Sequence, residues 1–113
     1  MFTKPMKTSP PQVLSDYFSA ANDGRIDDAA ACFASDALVH DENHDRQGIE
    51  AIRVWIEETT QKYRPQVEID HIESVEGGFV TTGTVSGTFP GSPIALNYTF
   101  SIRDGKISQL TIQ

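Results

Sequence analysis

Residues 17–41 read YFSAANDGRIDDAAACFASDALVHD, and residues 48–57 follow with GIEAIRVWIE. Val13, Leu14, Tyr17, Phe18 and Ala21 recur at helical spacing, so a first helix is expected to end near 22–24, at Asn22 to Gly24. Upstream, SPPQ at 9–12 reads as a capping box with proline at the first helical position. Asp27 is placed to cap a short second helix that carries Ala30 and Phe33 inward, with Ser35 and Asp36 as the turn after it. Residues 37–41 alternate as a short strand, Val39 and Asp41 on one side and Leu38 and His40 on the other. A polar loop follows. Gly48 then opens a third helix with an apolar stripe of Ile49, Ile52, Trp55, Ile56 and Thr59, which Pro65 stops.

Everything beyond reads as sheet. A strand over 67–75 turns at Glu76-Gly77-Gly78 into a second that runs from 79 to about 89. After the PGSP loop at 90–93, Ile94, Leu96, Tyr98, Phe100 and Ile102 alternate on one face of a third. Asp104-Gly105 is a two-residue hairpin signal leading to a last strand over 107–112. Helices first and antiparallel strands after give an α+β class, with helices on one face of a curved sheet and a cavity on its concave side. In domain terms, 1–8 is expected to be an N-terminal tail and 9–113 a single domain, consistent with a length of 113 residues.

Composition narrows the function. Apolar residues make up 38% and charged residues 22%, an ordinary globular balance, and the net charge is -7 with nine scattered basic residues. Nucleic acid is therefore not an expected partner, since binding it needs clustered Lys and Arg. The opening MFTKPMKTSPPQ has lysines but no apolar run after them, and no stretch approaches the ~20 apolar residues of a membrane span, so no membrane partner and a cytoplasmic location are expected. The single cysteine, Cys32, within AAACFA, reads as a small core residue.

VHDENHDRQG, residues 39–48, concentrates the titratable side chains. HDENH resembles the zincin motif HExxH, but that chemistry needs both histidines on one helix face. Here His40 is on a strand and His44 in a loop, so no metal site is expected. Glu42, Asp45 and Arg46 read as a hydrated surface. Asp41 has two readings: a carboxylate turned toward an apolar cavity, with raised pKa and the makings of a general base, or a strand-end Asp capping the next loop. His40 points the other way, to the surface or a dimer face. His71 is expected on the Val67, Ile69 and Val75 side as a hydrogen-bonded structural residue.

The order and spacing of these pieces carry a resemblance. An aromatic helix ending in N-x-G, an Asp-rich short helix, F-A-x-D-A-x-V-x-D, then G-x-x-A-I-x-x-W is similar to the SnoaL-like and ketosteroid isomerase-like branch of the nuclear transport factor 2-like superfamily. The match runs over about 13–57, and the later strands keep the order. The resemblance implies a cone-shaped fold in which three N-terminal helices pack on a strongly curved, mostly antiparallel sheet enclosing a pocket, commonly as a homodimer. It implies Asp41 as general base and Tyr17, seven residues before Gly24, as donor to a developing enolate. In the isomerases a second donor is an aspartic acid kept neutral by its apolar site. Aligning the closing Gly105-Lys106 hairpin puts Tyr98 at that position, or Asn97 with one residue of slippage, a departure that argues against steroid isomerisation itself. The pocket walls would come from Phe18, Phe33, Val39, Trp55, Leu96 and Phe100, each of which is by default a plain core residue.

Two functions follow as expectations. One is a cofactor-free acid/base enzyme, isomerase- or polyketide cyclase-like, acting on a small apolar molecule through Asp41, Tyr17 and Tyr98. The other is a non-catalytic binding module that uses the same pocket.

Overall fold

The computed structural model describes residues 10–113. Three helices, α1 (Gln12–Asn22), α2 (Ile26–Ala30) and α3 (Ile49–Tyr63), accompany six strands: β1 (Phe33–Asp41), β2 (His44–Gln47), β3 (Gln66–Val75), β4 (Gly78–Ser86), β5 (Ile94–Arg103) and β6 (Lys106–Ile112). The strands form one sheet in the order β2-β1-β6-β5-β4-β3. Every pairing is antiparallel except β1 with β6, which is parallel because the chain between them crosses the sheet. Register shifts interrupt the β1–β6, β3–β4 and β5–β6 pairings. Each extra residue on one strand bends the ladder, and the sheet curves around the helices accordingly. This is the α+β cone expected from the sequence.

The core lies between helices and sheet. Leu14, Tyr17, Phe18, Ile52, Trp55 and Ile56 are buried from the helical side, and Val39, Phe100, Ile107 and Leu110 from the strands. No helix among the described residues is long and apolar enough to cross a membrane.

Several local expectations are corrected. Ser9 of the capping box lies outside the described residues, as does the 1–8 tail. The N-cap of α1 is Pro11, with no side-chain cap, so neither proline of SPPQ is the first helical residue. Arg25, not Asp27, is the N-cap of α2, and Asp27 sits in its first turn. Phe33, Ser35 and Asp36 belong to β1, not to a helix and turn. The Ile107 N–H donates to the Cys32 carbonyl at 2.9 Å, Gln47 Nε2 donates to the Asp36 carbonyl at 2.8 Å, and Arg103 pairs with the Asp36 carboxylate. Pairing with β6 and β2 thus overrides the local turn signal.

The polar loop after Asp41 is a hairpin. Glu42 and Asn43 take φ of 55° and 63°, the left-handed pair of a two-residue turn, and His44–Gln47 returns beside β1. In β3 the shift between Ile69 and His71 reverses the alternation, so Ile72 is half-buried and His71 exposed, contrary to its expected place among Val67, Ile69 and Val75. β4 ends at Ser86, three residues before the expected 89. The Thr88 N–H donates to the Tyr63 carbonyl at 2.7 Å, drawing 87–89 toward the end of α3. Gly87 permits that approach, for a Cβ there would lie 2.4 Å from the Tyr63 carbonyl oxygen.

Candidate functional site

A cavity of about 530 Å³ opens between α1, α3 and the concave side of the sheet, lined among others by Tyr17, Phe18, Asp41, Trp55, Leu96 and Tyr98. Phe33, Val39 and Phe100, expected as pocket walls, do not line it. They form the layer behind. Phe33 and Phe100 meet the Tyr17 ring edge-on at 5.5 and 6.2 Å, Phe100 also abuts Phe18 at 5.8 Å, and Val39 is wholly buried. The Phe18 ring meets Tyr98 edge-on at 5.2 Å. Each such pair contributes about 0.5–1.5 kcal/mol beyond area burial, so the rings that present the phenols are held in place by packing.

Asp41 closes β1 half-buried. Its Oδ2 accepts the Trp55 Nε1–H at 3.1 Å, and its backbone carbonyl accepts Arg46 Nη1 at 2.6 Å. Burial is the main cause that pushes its carboxyl above the usual aspartate range. The Trp55 bond opposes that rise, the neighbouring Glu42 charge adds to it, and Arg46 opposes it. Tyr17 and Tyr98 are pushed well above the ordinary phenol value, first by burial and also by the Asp41 charge. Both therefore stay protonated, with an O–H available to donate. Neither phenol is hydrogen-bonded to a protein group among the described residues, and neither is sealed from the cavity. Thr81 Oγ1 alone among the described residues is both fully buried and unpartnered. The arrangement is one half-dry carboxylate and two protonated phenols around one apolar space. It can accept a proton at one point and stabilise negative charge at another.

The structure separates the two alternatives on β5. Tyr98 is buried on the cavity side, whereas Asn97 is exposed and accepts from Thr82 Oγ1 at 3.2 Å on the other face. At the mouth, Glu42 is not simply hydrated: it lines the cavity and its Oε2 accepts the Tyr63 hydroxyl at 3.1 Å. Arg46 holds the hairpin by its carbonyls. His40 and His44 stand on different strands, His40 in register with Asp45 and 2.6 Å from its carboxylate, His44 in register with Asp41. Among the described residues no cluster of three potential metal ligands occurs.

Sequence reasoning missed two contributors. Trp55 was expected only as a wall. Its signal was available, because a buried indole N–H seeks an acceptor and Asp41 ends the facing strand. Asn22, which lines the cavity, grips the Val67 backbone with both ends of its amide, at 2.9 and 2.8 Å. Nothing in local sequence marks that contact, which spans 45 residues.

Residues 14–110 match the SnoaL-like domain family. Among solved structures, a candidate polyketide cyclase from Sinorhizobium meliloti is 35% identical, with 91% of this chain and 94% of that one covered and a TM-score of 0.88. A hypothetical protein with a ketosteroid isomerase-like fold from Catenulispora acidiphila, in complex with trimethylamine, is 17% identical over 93% of this chain and 86% of that one, with a TM-score of 0.81. An epoxide hydrolase/cyclase-like enzyme of pyran ring formation in the polyether salinomycin is 18% identical over 89% and 86%, with a TM-score of 0.78. At the two lower identities the likeness is one of fold. A search of curated proteins finds no match.

Proposed function

The chain belongs to the SnoaL-like domain family, and on that premise we propose that it is a cofactor-free acid/base enzyme, isomerase- or cyclase-like, acting on a small apolar carbonyl compound. The observation that carries this reading is the convergence of Asp41, Tyr17 and Tyr98 on one cavity, with burial raising the proton affinity of all three. Asp41 removes a proton from the carbon beside the carbonyl. The released electron pair forms the enolate, whose oxygen accepts hydrogen bonds from Tyr17 and Tyr98. The proton then returns from Asp41 to another carbon, which isomerises the substrate, or the enolate carbon attacks a second carbonyl carbon of the same molecule, whose π electrons pass to its oxygen and take the proton back from Asp41, which closes a ring. The two phenols must lie within hydrogen-bond reach of the oxyanion for the step to gain from them.

At ~30 Å³ per water-sized atom, the cavity holds on the order of 15–20 non-hydrogen atoms. A polyketide-like substrate suits that volume and the apolar walls, in keeping with the 35% identical candidate polyketide cyclase. The same walls would serve a carrier, so the test must separate binding from chemistry. Ketones that bind are incubated in deuterated water, and exchange at the α-carbon is followed by NMR. Catalysed exchange is expected for the wild type, falling about 10²–10³-fold in Tyr17→Phe. Exchange undiminished in that variant removes Tyr17 from the mechanism. Binding with no exchange in the wild type leaves the chain a binding module.

A further inference from the structure

We propose that Trp55 is the positioning residue of Asp41: its indole N–H holds Oδ2, so that the carboxylate meets the substrate in one orientation and through its other oxygen, Oδ1. The inference rests on the proposed role of Asp41 as the base. Trp55 is buried on α3 between Ile52 and Ile56, itself 4% exposed, and the ring is locked by that helix face. Its N–H points at Oδ2 from 3.1 Å. The Arg46 side chain on β2 holds the backbone carbonyl of the same residue at 2.6 Å. Asp41 is therefore pinned at its main chain from one element and at its carboxylate from another, and Oδ1 is left without a side-chain donor among the described residues.

Such a pin matters because the carboxylate is half out of water. A base must be ionised before it can accept a proton, and a single donated hydrogen bond to the charged form opposes the burial that neutralises it. The titratable and charged groups bearing on Asp41 are Tyr17 from α1, Tyr98 from β5, Glu42 from the turn and Arg46 from β2. Burial and the Glu42 charge disfavour the anion, while Arg46 and the Glu42 backbone N–H favour it less strongly than Trp55 does. Trp55 from α3 supplies the largest opposing influence.

The chain has one tryptophan, so fluorescence excited at the red edge of the indole band reports on the surroundings of this one ring. In the wild type, fluorescence and the ¹³C carboxyl signal of Asp41 are expected to titrate with one midpoint, and Asp41→Asn is expected to abolish the fluorescence step. The decisive comparison replaces Trp55 with 3-benzothienylalanine, which keeps the shape and exchanges the N–H for sulfur, alongside Trp55→Phe. The Asp41 midpoint should rise by about one pH unit in both. The acid limb of α-carbon exchange should move up with it, in the shape-preserving variant as in Trp55→Phe. An unmoved midpoint in the shape-preserving variant overturns the positioning role. A shifted midpoint in a protein that never exchanges α-hydrogens, wild type included, supports the contact and overturns the base.

Discussion

The role proposed for Asp41 sets opposing demands: a base must leave water to gain proton affinity and remain ionised to use it. Because its folded-state pKa is raised, the protonated form favours the folded protein. The stability this contributes is fully present below the ordinary aspartate range and is lost as pH rises through the raised value. Asp41→Asn removes the buried charge and leaves an amide oxygen for the Trp55 N–H. It should abolish exchange and raise Tm by a few degrees at neutral pH, an effect kept small because the side chain is only partly buried and solvent screens it. The gain should vanish in acid, where wild-type Asp41 is already neutral. Scanning calorimetry of the two proteins at acidic and neutral pH reads the difference, and equal Tm values at neutral pH would mean that burial does not strain this carboxylate.

Among the elements, α1 carries a proposed donor, and its C-terminal end is tied to a distant strand. The Asn22 amide accepts from the Val67 N–H and donates to the Val67 carbonyl, as a neighbouring strand would. Gln66 Nε2 adds a bond to the Asn22 carbonyl at 2.7 Å. β3 is the edge of the sheet, and this clamp covers part of its open backbone. Asn22→Ala leaves both Val67 groups unpaired and should cost about 1–3 kcal/mol in urea unfolding. The same change frees the helix end five residues beyond Tyr17, so exchange should also fall. A variant as stable as wild type would show the clamp to be incidental. The β1–β2 hairpin is the counterpart at the other side of the site, since its turn sets Asp41 and Glu42 at the cavity and its return strand brings Arg46 back to the Asp41 carbonyl.

The molecule taken together presents carboxylates to its cavity. Asp41 and Glu42 both line the cavity, with His40 beside them, and the chain's net charge is -7. A neutral ketone is therefore expected to bind where a carboxylate of the same size is repelled. At about one hundred times its Kd, the ketone should stabilise the fold by about 2.7 kcal/mol, visible as a rise in Tm. The matched carboxylate should leave Tm unmoved, and an equal rise with both would mean that charge at the mouth plays no part in selection.

Periodicity made the elements legible. The stripe of Ile52, Trp55 and Ile56, the alternation of Leu96, Tyr98 and Phe100, and the Asp104-Gly105 turn are written in neighbouring residues, because side-chain direction in a helix or strand follows from backbone geometry. Alternation likewise turned Asp41 inward, whereas Tyr17 and Tyr98 became candidates through what the family resemblance implied. Where Phe33 and Asp36 would go could not be read locally, because partners on β6 and β2 outweigh a turn propensity. Nor could the bulge that turns His71 outward, since a register shift belongs to a pair of strands. Which aromatic rings face the cavity and which support it, and that Trp55 and Asn22 reach Asp41 and Val67, depend on contacts between residues far apart in the chain. Local pattern determines which side a residue faces. What it meets there is set by how the helices lie on the bent sheet.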